Sequence, residues 1–219
     1  MEFLYNKVYG SASACAKNDS LWRCKMNTFG QYQKLIDAVT TELKKGDNVC
    51  QFGLTFGNLI DDVALAIGSN GIYDILDINP LEIKRVSDKY DNLYKQITLV
   101  HEDVALLQPK AIRDKVICFM LLSMTPDSYK KKIIDNALSM LKPGGKAIFI
   151  DWSKAKNYNP LGWIVKIYHR LYNPLAEEIH KSSIKKLSSF AGNNEFIWRQ
   201  TTYLGGLFQK VVVTRHKGK

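Results

Sequence analysis

The chain has 219 residues, a formal net charge of +10 and 46% hydrophobic residues. This length suits one well-buried domain, and the apolar share suits a packed core and excludes disorder. No apolar run approaches the ~20 residues of a membrane-spanning helix, and the opening MEFLYNKVYGSASAC lacks the basic start and apolar stretch of a secretory signal. Cys15, Cys24, Cys50 and Cys118 form no CxxC pair, so the expectation is a cytosolic protein with reduced thiols and no zinc site or disulfide framework.

In chain order, QYQKLIDAVTTELKKGD (31–47) predicts a helix stopped at Gly46. NVCQFGL (48–54) predicts a short buried strand, and NLIDDVALAIG (58–68) a helix ending at Gly68. GIYDILDIN (71–79) predicts a second strand, after which Pro80 suits a first helical turn. QITLVHED (96–103) and KVICFMLLSM (115–124) predict the third and fourth strands. PDSYKKKIIDNALSMLKPGG (126–145) predicts a helix closed by Pro143-Gly144-Gly145, and KAIFIDW (146–152) a fifth strand. Alternating strands and helices imply a doubly wound α/β fold: a mostly parallel sheet with helices on both faces. Ligands of such sheets sit beyond the carboxyl ends of the strands.

The end of the first strand is therefore the informative place. In QFGLTFG, Gly53 and Gly57 supply two of the positions at which a nucleotide loop needs positive φ or close backbone approach, while Thr55 stands where a third glycine is common. Asp77, 20 residues after Gly57, ends the second strand, where a carboxylate can bond ribose hydroxyls. It has a second reading, as the cap of the Asp-Ile-Asn-Pro turn. Asp103 ends the third predicted strand, placed to accept from an adenine amino group.

The excess of Lys and Arg has three readings: nucleic acid, an anionic membrane surface, or a solvated basic face. No RNA-binding signature or zinc finger accompanies it, which makes nucleic acid the weakest, and no nucleic-acid partner is expected. NYNP at 157–160 only superficially resembles a flipped-base motif and follows the wrong strand.

LKPGGKAIFID resembles the helix-to-strand turn of class I methyltransferases that use S-adenosylmethionine (SAM). Within that superfamily the chain resembles the rhodoquinone-biosynthesis branch, through QFGLTFGNL, LDINP, LKPGGKAIFIDW, NPLGWIVKIYHRLYNPLAEEI and YLGGLFQKVVVTR, from about residue 48 to 213. The resemblance implies one SAM-binding domain over 1–219, with 1–47 a helical lead-in and 154–186 a helical lid or membrane-facing segment. It implies a cofactor set of Gln51, Gly53, Thr55, Gly57, Asp77, Ile78, Asp103, Val104 and Leu121. Gln51 departs from the Glu or Asp usual in the family at that place.

By the same resemblance the acceptor is a small aromatic or quinone ring, and in this branch SAM serves as an amino donor beside a divalent metal such as Mn2+. The chain departs at Ser123-Met124 and Asp151-Trp152-Ser153, where relatives carry His-Glu and a histidine, so plausible metal ligands are lost. Methyl transfer is the first expectation, amino transfer converting ubiquinone to rhodoquinone the second, and a non-catalytic SAM-binding scaffold the third. Methyl transfer mainly asks for alignment and exclusion of water, with a base for a hydroxyl nucleophile. Asp151 is the candidate base, with a purely structural carboxylate as the other reading. Ser123 is a candidate substrate or cofactor contact, or a simple turn residue. No metal ligands are assigned, since His101, His169, His180 and His216 show no ligand spacing.

In LGWIVKIYHRLYN, Leu161, Ile164, Ile167, Tyr168 and Leu171 share a helical face, with Lys166, His169 and Arg170 off it. The segment reads either as a lid packed on the domain or as a basic amphipathic helix peripheral to the inner face of a membrane. The oligomeric state is not legible.

Overall fold

A computed structural model describes residues 19–90, 93–177, 179 and 182–217. The chain divides into two compact units, one ending at Val104 and one starting at Ala105. In the first, helices α1 (Leu21–Asn27) and α2 (Tyr32–Thr40) precede β1 (Asn48–Phe52), α3 (Leu59–Ile67), β2 (Ile72–Asp77), α4 (Pro80–Tyr90) and β3 (Ile97–His101). Both strand pairings are parallel, with Gln51 opposite Ile75 and Asp77 opposite His101. Parallel strands are covered on both faces and run apolar for that reason. Val49, Cys50, Phe52, Tyr73 and Ile75 are buried, as are Leu35, Ile36 and Val39 of α2 and Leu59, Val63 and Ile67 of α3. Each such Leu or Ile contributes roughly 1.5–3 kcal/mol by burial.

The second unit holds β4 (Arg113–Phe119), a 3-10 turn (Leu122–Met124), α5 (Asp127–Ser139), β5 (Leu141–Trp152), α6 (Pro160–Tyr172), α7 (Ile184–Leu187), β6 (Phe196–Tyr203) and β7 (Phe208–Arg215). β4 and β5 are parallel, whereas β7 runs antiparallel to both β5 and β6. The strand order is β3-β2-β1-β4-β5-β7-β6, a doubly wound, mostly parallel seven-stranded α/β sheet. Among the described residues no helix is long and apolar enough to cross a membrane.

Several elements differ from the sequence expectation. The first predicted helix stops at Thr40, because Thr40 and Thr41 turn their hydroxyls back onto the carbonyls of Asp37 and Ala38 and the chain leaves the helix. The third strand ends at His101, so Asp103 lies in the following loop. The predicted fourth strand ends at Phe119, where Met120 takes φ +54°. Pro143-Gly144-Gly145 does not close a helix. α5 ends at Ser139 and these residues lie inside β5, at an irregularity in its register with β4. β6 and β7 were not assigned from the sequence, and residues 1–18 of the expected lead-in lie outside the described residues.

Gly145 is fixed by crowding. A Cβ there would stand 2.9 Å from the carbonyl oxygen of Arg113 and 3.0 Å from that of Lys142, both backbone atoms that cannot step aside. Gly145→Ala should lower the unfolding free energy in urea by about 1–3 kcal/mol. Gly192→Ala, with nothing within 4 Å, should be near neutral.

Candidate functional site

The glycine loop of the first unit is built around one carboxylate. Gly53 and Gly57 have φ of +80° and +83°, which lets the chain reverse sharply after β1. Asp77, at the end of β2, accepts from the Leu54 N–H through Oδ2 at 2.6 Å and from the Asn79 N–H through Oδ1 at 2.7 Å. It therefore clamps the loop after β1 to the turn before α4. Burial pushes its carboxyl above the ordinary aspartate range, and those two N–H groups pull it back. Gln51 is wholly buried; its amide donates to Gly53 O at 2.8 Å and accepts from the Tyr73 hydroxyl.

The loop is also held from behind. Arg85 of α4 pairs with Asp19 at 2.5 Å and with the buried Glu82 at 2.9 Å, and its NH2 group reaches Thr55 O at 3.4 Å. Asp19 accepts from the Gly57 N–H at 2.7 Å. The Tyr32 hydroxyl donates to Phe56 O, and a Cβ on Gly57 would collide with that hydroxyl. Against this support, Thr55 Oγ1 is buried without a hydrogen-bond partner among the described residues. A buried hydroxyl in that state costs free energy unless a ligand or water meets it. A positive-φ loop, a strand-end carboxylate and an orphaned hydroxyl together suit a nucleoside cofactor with a polar tail.

The other predicted residues of this unit are more loosely placed. Ile78 is 58% exposed beside Asp77, and its carbonyl meets His101 Nε2 at 2.9 Å. Asp103 and the buried Val104 follow β3.

In the second unit, Asp151 lies near the end of β5 and is buried. Its Oδ2 accepts from the Ser123 N–H at 3.1 Å and its Oδ1 from the Trp152 N–H at 2.8 Å. Burial pushes this carboxyl up to about 6, although hydrogen bonds from Ser123, Trp152 and Leu122 work against the shift. Leu121 precedes the same 3-10 turn, and the Ser123 hydroxyl faces Met120 O at 3.4 Å. Ser123 and Asp151 are thus brought together, chiefly through the serine's backbone.

The sequence gives no sign that the following residues gather around them. His169 is buried, edge-on to the Trp152 ring at 4.7 Å, and Trp152 packs on Phe208 at 4.4 Å. Gln209 donates to Trp152 O at 2.8 Å, and Asn173 donates to Ser123 O at 3.3 Å. Asp19, Arg85 and Glu82 were missed in the first unit. Only the i,i+3 pairing of Glu82 with Arg85 was visible as a local signal. Among the described residues no group of three or more His, Cys, Asp or Glu side chains is disposed to hold a metal; His180 lies outside them.

A family profile described as a methyltransferase domain matches residues 49–145. No curated protein matches the chain in sequence. Among solved structures, an O-methyltransferase family protein from Burkholderia thailandensis is similar over 100% of this chain and 65% of its own, with TM-score 0.75 and 15% identity. Magnesium protoporphyrin IX methyltransferase from Synechocystis, solved with bound SAH, is similar over 84% of this chain and 83% of its own, with TM-score 0.60 and 20% identity. A SAM-dependent methyltransferase from Aquifex aeolicus covers 94% and 98%, with TM-score 0.59 and 15% identity. These findings support the superfamily and not the rhodoquinone branch. Residues 49–145 match a methyltransferase domain profile, and the chain has the fold of the methyltransferases it is similar to.

Proposed function

We propose that this enzyme methylates an oxygen on a small aromatic or quinone-type ring. The observation that carries the reading is Asp151, a carboxyl buried near the end of β5 against the turn after β4, where burial pushes it up to about 6, into the working range of a general base. The O-methyltransferase family protein with the same fold supports oxygen as the acceptor. Bound SAM supplies an electrophilic methyl group on a sulfonium.

The chain's own residues supply the rest. Gly53, Thr55 and Gly57 receive the cofactor's polar tail against the loop backbone, with the Thr55 hydroxyl as a contact. Asp77 accepts from the ribose while keeping its two backbone donors, since a carboxylate has about four lone-pair sites. Ile78, Asp103, Val104 and Leu121 line the adenine. Gln51 positions the loop without touching ligand. Asp151 takes the proton of the acceptor hydroxyl, and Ser123 holds Asp151 in place. Amino transfer draws no support from the described residues, which offer no cluster of metal ligands.

Calorimetric titration of the protein with SAM should give binding that Asp77→Ala weakens by at least about tenfold, the scale of a lost hydrogen bond to a charged group. Equal affinity in the variant would remove Asp77 from the site, and no binding by the unaltered protein would sink the proposal.

Turnover of a phenolic or hydroquinone acceptor should rise as pH passes through about 6 and level off above it. Asp151→Asn should lower kcat about 10²-fold or more and flatten that profile. Because the folded carboxyl is raised, the folded state binds the proton more tightly than the unfolded chain. Stability from this group is full below 3.8 and is lost as pH rises to about 6. Urea unfolding should show that decline in the native enzyme and not in Asp151→Asn. A variant with the native pH profiles would make Asp151 a bystander.

A further inference from the structure

Helix α6 is attached to its unit by a narrow face. Val165 and His169 are buried, and Asn173 at the C-cap donates to Ser123 O at 3.3 Å. At the other end Asn159 caps the helix by accepting from the Leu161 N–H at 3.1 Å, and donates to Leu204 O at 2.8 Å. These contacts fix how the helix is turned. The apolar stripe does not pack inward as the lid reading requires.

Instead, Trp163 is 70% exposed, Ile164 53%, Tyr168 53% and Leu171 67%, with Ile167 also exposed. At about 100° per residue these five side chains cover an arc of roughly 140° of the helix. Lys166 and Arg170 flank the arc next to Trp163 and are exposed. From residue 154 to 176 the chain carries Lys154, Lys156, Lys166 and Arg170, and no Asp or Glu. Just before the helix, Tyr158 is 74% exposed, with Lys156 Nζ 5.9 Å from its ring centre.

The combination is selective. A contiguous apolar surface of this kind marks an interaction site. Trp and Tyr favour the boundary between water and hydrocarbon, where one edge of the ring stays wet. Cationic side chains beside an apolar arc, with no acid in the segment, match a surface of fixed negative charge. We infer that α6 is an interfacial helix that seats this enzyme on an anionic lipid bilayer, its Trp163–Leu171 face entering the headgroup boundary and Lys154, Lys156, Lys166 and Arg170 meeting the headgroup charges. The opposite face of the same helix carries His169 against Trp152 and Asn173 against Ser123, so the bilayer contact lies one helix thickness from the Asp151 cluster.

The test is co-sedimentation of the full chain with phosphatidylcholine vesicles, with and without phosphatidylglycerol. The chain should pellet with the anionic vesicles and be released by salt. Trp163→Ser with Leu171→Ser, and separately Lys166→Glu with Arg170→Glu, should each lower the bound fraction about tenfold. Because all four side chains are exposed, thermal unfolding and SAM titration should stay as in the native chain. Failure to bind anionic vesicles would overturn the inference, as would binding that neither pair weakens. So would a dimer in sedimentation velocity that Trp163→Ser with Leu171→Ser converts to monomer, which would assign the face to a second copy.

Discussion

A carboxylate shut away from water keeps its charge only where N–H groups point at it. Two such carboxylates organise this molecule, one in each unit. Asp77 gathers the N–H groups of Leu54 and Asn79, and Asp151 those of Ser123 and Trp152. Asp77 joins the loop after β1 to the turn after β2, and Asp151 joins the turn after β4 to the end of β5, so each sets the position of several backbone atoms at once. Neither carboxyl has its ordinary acidity, and burial raises both. The same desolvation that makes these groups demanding as structural ties makes them useful to a ligand or a proton.

Gln51 shows how a loop can lose an acid and keep its shape. A glutamate there could accept from the Tyr73 hydroxyl, but it could not donate to the carbonyl of Gly53. The amide does both, and closes the tight turn at the end of β1 from within the core. The loop is then backed by charge from α4, where Arg85 ties Asp19 and Glu82 together. A short loop with two glycines is thereby tied both to the core and to α4.

Local chemistry was legible wherever one residue type decides a conformation. Pro80 opens α4, and Gly68 ends α3 at φ +70°. The spacing from Gly57 to Asp77 puts a carboxylate at the end of β2, and its reading as the cap of the following turn is visible in the bond from the Asn79 N–H, whereas its hold on the Leu54 N–H was not legible. Tertiary pairing was not legible. Nothing near Asp19 in the sequence announces Arg85, since the two are 66 residues apart. The sequence leaves the orientation of α6 open between a packed lid and an outward face, because capping and a buried histidine, not the apolar stripe, set its rotation. Pro-Gly-Gly reads as a helix stop, whereas the tight approach of Gly145 to two carbonyls belongs to a strand irregularity.

Asn159 and Gly205 are 46 residues apart, yet a Cβ on Gly205 would stand 2.7 Å from Asn159 Nδ2. Gly162, three positions beyond Asn159, is hemmed in as well, by the Cβ of Ala155. The consequence is evolutionary. A side chain at 205 is opposed twice, by the backbone φ of +59° and by the asparagine, so the glycine is held even where the asparagine is lost. Losing the asparagine instead frees the start of α6 from the turn between β6 and β7, so the asparagine is the position whose drift would be felt at the helix.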